Sequence, residues 1–190
     1  MKHTLLLPML AALLLLGCTK DNDPPPKPPD PCPWPEVTTE GKNTLAFKIN
    51  GVEWVPCVDL SAAIGGLKPV SAGFAEDIDG LNITGSRFAY SYGDSSTNTY
   101  GIWIRPLKEG IVNVPELLGS SFNYYSSKNG VFQNKWSLPL LNKGLKLEIL
   151  RLDKTNKVIS GIFEAILLPQ YGNDTLFITD GRFDVTYTPQ

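Results

Sequence analysis

The stretch TLAFKINGVEWVP, Thr44 to Pro56, constrains the fold most. Apolar and polar residues alternate on both sides of Asn50-Gly51, the period of a strand with one buried face. Asn-Gly readily takes the two positive-φ positions of a type I′ turn, so the stretch reads as a β-hairpin. The same pair of signals recurs down the chain. Turns are expected at Asp79-Gly80, Asn129-Gly130, Asn142 to Gly144 and Tyr171 to Asp174.

Strand candidates lie between these turns. In SRFAYSY, Phe88, Tyr90 and Tyr92 share one face; in YGIWIR, Tyr100, Ile102 and Ile104 oppose Trp103 and Arg105. In VFQNKWSL, Phe132, Trp136 and Leu138 line one side, and LKLEILRL turns Leu145, Leu147 and Ile149 inward. VISGIFEAILL is almost continuously apolar, as expected of a central strand covered on both faces. DTLFIT and RFDVTYT read as a final strand pair joined near Asp180-Gly181. Only PELLG, Pro115 to Gly119, suggests a helical turn. The expectation is an all-β chain: a single antiparallel β-sandwich or barrel-like domain over residues 43–190, long enough to bury its own core.

The N-terminal part is different. Lys2 precedes an uncharged apolar run, Leu5 to Leu16, broken only by Pro8. That is the length of a signal-peptide core and too short to span a bilayer, which takes about 20 residues. The run ends in Leu15-Leu16-Gly17-Cys18, which resembles the lipobox of bacterial lipoproteins. The resemblance implies cleavage after Gly17, with residues 1–17 as signal peptide and Cys18 as an acylated N-terminus. Several acyl chains, each buried CH₂ contributing about 0.8 kcal/mol, then hold the chain to a membrane without any transmembrane helix. Thr19-Lys20-Asp21-Asn22-Asp23 resembles the acidic stretch that follows the acylated cysteine in surface-exported lipoproteins of Bacteroidota. The resemblance implies a place on the outer membrane facing outward, with a periplasm-facing orientation as the alternative.

Residues 18–42 form a linker, and eight of the twelve residues from Pro24 to Pro35 are proline. Proline fixes φ and removes a backbone donor, so this segment favours polyproline II at about 3.1 Å per residue. It reads as a spacer that holds the domain off its anchor.

Cleavage after Gly17 removes Lys2 and His3, the only histidine, leaving 19 acidic residues against one fewer than the original 17 basic ones. Without histidine no Ser-His-Asp or Cys-His catalytic arrangement forms, nor any His-ligated metal site. The near-neutral charge and lack of a basic run argue against nucleic acid and against anionic lipid surfaces. With Cys18 acylated, Cys32 and Cys57 remain as an even pair in an oxidising compartment, either a disulfide or two free thiols. The disulfide is the expectation.

Further down the chain, FKINGVEW (Phe47 to Trp54), VISGIFEA (Val158 to Ala165) and FITDGRFDV (Phe177 to Val185) resemble the opening hairpin and closing strands of uncharacterised β-rich lipoproteins from Bacteroidota. The chain departs from their usual pattern at Ile162, where threonine is commoner. The resemblance implies fold class and location and brings no activity or site residues.

Four constellations could carry chemistry. The middle third is rich in aromatics: Tyr90, Tyr92, Tyr100, Trp103, Phe122, Tyr124, Tyr125 and Trp136, with Asn98, Asn123 and Asn134 near them. Flat ring faces stack on sugars and amides bond their hydroxyls, but alternating aromatics on strands are also ordinary core residues. Trp103, which shares a face with Arg105, and Tyr125, beside Ser126-Ser127-Lys128, are the candidates for an exposed ligand-binding surface. AEDIDG offers Glu76, Asp77 and Asp79 as oxygen ligands for a hard cation, but the position of the closing glutamate of such loops holds Ser86. A solvated acidic turn is the expectation, with no metal and no cofactor. Asp180, Arg182 and Asp184 alternate onto one face as an ion-pair ladder or, with a second carboxylate, as the beginnings of a glycosidase site. Asp174-Thr175-Leu176 resembles the O-glycosylation acceptor of Bacteroidota, with Thr175 as the modified residue. Together these imply a non-enzymatic binding or accessory lipoprotein whose ligand is a glycan or an envelope or host protein. The alternatives are a structural component of the envelope and, after it, a carboxylate-dependent glycoside hydrolase.

Overall fold

The computed structural model describes residues 32–58, 68–91, 94–105, 107–112, 121–139 and 144–189, without the side chains of 58, 78, 88–91, 94–96, 121 and 122. The expected lipidation at Cys18, the PELLG turn and the faces of Phe88, Tyr90, Tyr92 and Phe122 lie outside the described residues.

The fold is all-β. Among the described residues thirteen strands form one continuous sheet that bends back on itself without closing. Its first layer runs in the order β2 (Val52–Trp54), β1 (Thr44–Ile49), β12 (Leu176–Thr186), β11 (Val158–Pro169), β10 (Lys146–Asp153) and β7 (Gly110–Val112). The second runs β13 (Thr188–Pro189), β4 (Val70–Ala75), β5 (Gly80–Ser91), β6 (Asp94–Ile104), β8 (Ser121–Lys128) and β9 (Val131–Ser137), with β3 (Cys57–Val58) also on β5. Pairing is antiparallel except for β13 with β4 and β3 with β5. The long β11 joins the layers, because its end pairs Leu168 and Pro169 with Ser137 and Trp136 of β9.

Alternation decides which side chains enter the core. Leu45 and Phe47 of β1, Ile149 of β10 and Phe163 of β11 meet Leu81 and Ile83 of β5 and Tyr100, Ile102 and Ile104 of β6. Phe47 on one layer lies 4.3 Å from Tyr100 on the other, centroid to centroid, and Tyr100 stacks on Phe163 at 5.9 Å. Each such ring stabilises the fold by about 1.5–3 kcal/mol through burial.

Asn50 (φ 51°) and Gly51 (φ 83°) make the first hairpin as expected, with Ile49 opposite Val52. Asp180-Gly181 differs. The residues expected to form two strands make one strand, β12, and Asp180 (φ 52°) and Gly181 form a bulge within it between the pairs Lys48–Thr179 and Ala46–Arg182. A left-handed Asp followed by Gly suits a bulge as well as a turn. Here the glycine is compulsory, because a Cβ on Gly181 would stand 2.5 Å from the Phe163 carbonyl oxygen.

β11 is covered on both faces only over its first half. From Phe163 onward it alternates, leaving Glu164, Ile166 and Leu168 outward.

The outward side of β12 carries a strap, Trp34 to Asn43, so the hydrogen-bonded part of the domain begins ahead of Asn43. The Asp184 carboxylate, 1 % exposed, accepts the Thr38 hydroxyl at 2.6 Å and the N–H groups of Gly41 (2.7 Å), Glu40 (3.0 Å) and Lys42 (3.2 Å). Arg151 Nη1 donates to the Thr39 carbonyl at 2.6 Å. Arg182 lies over the Trp34 ring at 4.7 Å and donates to the Pro35 carbonyl. A disulfide joins Cys32 to Cys57, with Cα atoms 5.9 Å apart, and fastens the start of the strap beside β3.

Candidate functional site

The outward face of the second layer collects the candidate ligand-binding residues. Cross-strand partners project to the same side of a sheet, so the register defines rows. Asn82 and Trp103 form one row over β5 and β6. Thr84, Gly101, Asn123 and Ser137 form the next, reaching β9, and Ser86, Thr99, Tyr125 and Lys135 the third. Trp103 and Tyr125 therefore share one face, both half-buried, with the Gly101 row between them. At about 3.3 Å per residue and 4.8 Å per strand their backbone positions are about 14 Å apart. A Cβ on Gly101 would meet no atom within 4 Å, so the face is open there down to the backbone. Lys135 Nζ sits 5.4 Å from the centre of the Tyr125 ring, and Ser86 and Thr99 share a hydrogen bond of 3.2 Å.

Phe132 joins this face, against expectation. The pairing of β8 with β9 shifts between Ser126 and Ser127, so that Asn134 faces Ser126 while Phe132 faces Ser127. Gln133 is the extra residue of a bulge, which moves Phe132 away from the inward side it would share with Trp136. Its ring is 49 % exposed. Sequence alternation could not reveal this, since one inserted residue inverts the pattern beyond it.

Other aromatics of the middle third belong to the interior. Tyr100 is fully buried, and burial pushes its phenol well above its usual range. Tyr124 packs on Trp136 at 5.6 Å and edge-on to Trp54. Burial raises the Tyr124 phenol against the opposing pull of Arg87. Trp136 donates Nε1–H to the Asp174 carbonyl at 2.8 Å, and Asn134 donates to that of Tyr171 at 3.0 Å. These two side chains anchor the loop that contains Thr175, which is half-buried beside an exposed Asp174.

A groove of about 600 Å³ lies on the outward side of the first layer. Val37 of the strap, Ile111 and Ile162 supply its apolar lining, and the carboxylates of Glu148, Glu164 and Asp180 its acidic one. Two of these are already engaged: Glu164 with Lys146 and Asp180 with Lys48, each at 2.7 Å. Lys48 holds the Asp180 carboxyl below its usual range, opposite to what a general acid requires. These three come from three strands, β10, β11 and β12, and no local pattern of residues groups them.

The expected Asp180–Arg182–Asp184 ladder does not form. Asp180 pairs with Lys48, Arg182 lies over Trp34, and Asp184 is held by the strap. In AEDIDG, Glu76 to Ile78 make one 3-10 turn closed by Asp79 (φ 48°), which pairs with Lys154 at 3.2 Å. Among the described residues no group of three acidic or cysteine side chains is placed to hold a metal ion.

Comparison with known proteins returned no matching family model, no curated relative and no matching solved structure.

Proposed function

We propose that this chain is a lipid-anchored, outward-facing lipoprotein of the outer membrane that binds glycans through the second layer of its domain. One observation carries the binding reading: Trp103 and Tyr125 share an open face with amide and hydroxyl side chains in register between them. Sugar rings need flat apolar faces to stack on and polar groups beside them, and this face offers both on rigid strands. Binding rather than catalysis is favoured by the groove carboxylates, two of which are neutralised by lysines. The hydrolase reading has the least support. The test is a glycan array probed with the purified full chain. Retention that Trp103→Ala abolishes, at unchanged melting temperature, supports the reading; no retention of any glycan sinks it.

The address rests on the Leu-Leu-Gly-Cys end of the apolar run and on the acidic residues after Cys18. Protease shaving of intact cells tests it. Digestion of the domain while a periplasmic control survives supports surface display, and protection until the envelope is opened places the domain inside.

A second reading, a protein partner in the envelope, is favoured by a different face. Ile166 and Phe177 are direct cross-strand partners on the outward side of the first layer, 37 % and 53 % exposed, and Leu168 extends the ridge. Exposed apolar surface of this kind marks interaction sites. Crosslinking in intact cells tests it: a reproducible partner lost on Phe177→Ser supports it, and its absence removes it.

A further inference from the structure

Resting on the glycan-binding reading of the second layer, we propose that its ligand is an acidic glycan, one bearing uronate carboxylates or sulfates, rather than a neutral one.

Charge distribution between the layers carries the inference. Four cations of the first layer and its turns pair with carboxylates: Lys48 with Asp180, Lys146 with Glu164, Arg151 with Asp153, Lys154 with Asp79. On the outward rows of the second layer the described side chains include no carboxylate at all. They are amides, hydroxyls, Trp103, Tyr125, Phe132 and the single ammonium of Lys135, which has no carboxylate partner among the described residues. Arg105, exposed, follows Trp103 by two residues, just past the end of β6. A bound anion would meet the Lys135 ammonium beside Tyr125 and no carboxylate among the described side chains of these rows.

The placement of Lys135 decides between the two kinds of sugar. Its ammonium already lies over the Tyr125 ring. A neutral sugar stacking there must displace it and lose the cation–π contact. An anionic sugar can instead pair with the ammonium where it stands and lay its ring over the gap at Gly101. Electrostatic complementarity of this sort also makes association salt-dependent.

The experiment measures binding of the purified full chain to oligogalacturonate, polymannuronate and chondroitin sulfate. Each is compared with its methyl-esterified or desulfated counterpart, and a thymidine oligonucleotide serves as a non-sugar polyanion. The expected result is a preference of tenfold or more for at least one acidic glycan at low salt, lost at high salt. Lys135→Ala should weaken that binding about fivefold, the size of a partly exposed charge contact, without lowering the melting temperature. Which acidic glycan is retained separates carboxylate from sulfate. Equal binding of the neutralised counterparts, or indifference to Lys135→Ala, overturns the acidic assignment and leaves the glycan reading standing. Equal binding of the oligonucleotide overturns it too, since the face would then select charge rather than sugar. If no glycan binds in either form, the underlying reading falls and this one with it.

Discussion

The Asp184 carboxylate accepts the Gly41 N–H at 2.7 Å across a sequence separation of 143 residues, and three further donors of the strap converge on the same group. A carboxylate with its lone pairs filled by fixed donors can be buried, whereas one stripped of them cannot. The strap and β12 thus depend on each other, and this sets the first prediction.

Asp184→Asn should destabilise the domain by about 2–3 kcal/mol, because the amide nitrogen would face N–H groups that need acceptors. Removing residues 31–42 should cost at least as much, because it takes away these four donors together with the Arg151–Thr39 bond, the Arg182–Trp34 contact and the disulfide. Urea unfolding of both variants checks this; unchanged midpoints would show that the strap is only laid on the surface.

Burial alone would raise the Asp184 carboxyl, but the Thr38 hydroxyl and the N–H groups of Gly41, Glu40 and Lys42 outweigh it and hold the group below its ordinary range. A carboxyl whose folded pKa is depressed contributes stability that is present above its unfolded value, about 3.9, and lost as pH falls toward the folded one. The wild type should therefore lose stability below pH about 4 more steeply than Asp184→Asn. Melting temperatures of both proteins from pH 6 to pH 2.5 test this, and parallel curves would contradict it.

Gly161→Ala should lower stability by about 1–3 kcal/mol through overpacking. Its Cβ would stand 2.6 Å from the Phe183 ring and 2.7 Å from the Glu148 carbonyl oxygen, in the middle of β11 where the backbone cannot yield. Gly101→Ala meets no such atoms and should be tolerated, so the pair of variants separates crowding from loss of glycine alone.

Reducing Cys32–Cys57, which closes a separation of 25 residues, should lower stability by on the order of 3 kcal/mol. Comparing melting with and without reductant, against a Cys32→Ser, Cys57→Ser double variant that should not respond, measures it.

Local signals made the architecture legible and left its joints hidden. Asn50-Gly51 announced a hairpin because its chemistry and its neighbours agree, and Tyr100, Ile102 and Ile104 announced a buried face by spacing alone. Asp180-Gly181 carries the same local signal but lies inside a strand, since only the approach of Phe163 distinguishes a bulge from a turn. The strap has no periodicity, and its partner Asp184 lies at the other end of the chain, so nothing local marks it. At the candidate site, Trp103 was legible through its alternation with the buried residues beside it. Phe132 was not, because a bulge at Gln133 inverts the pattern that would have placed it.

The measurement that tests the central claim most directly is glycan binding by wild type, Trp103→Ala and Tyr125→Ala, each with its melting temperature. The account predicts that both variants lose most of the binding while melting within about a degree or two of wild type, as expected for substitutions outside the core. Binding retained in both variants, or a large fall in melting temperature with Trp103→Ala, would contradict it: the first would move the site elsewhere, and the second would make Trp103 part of the packing.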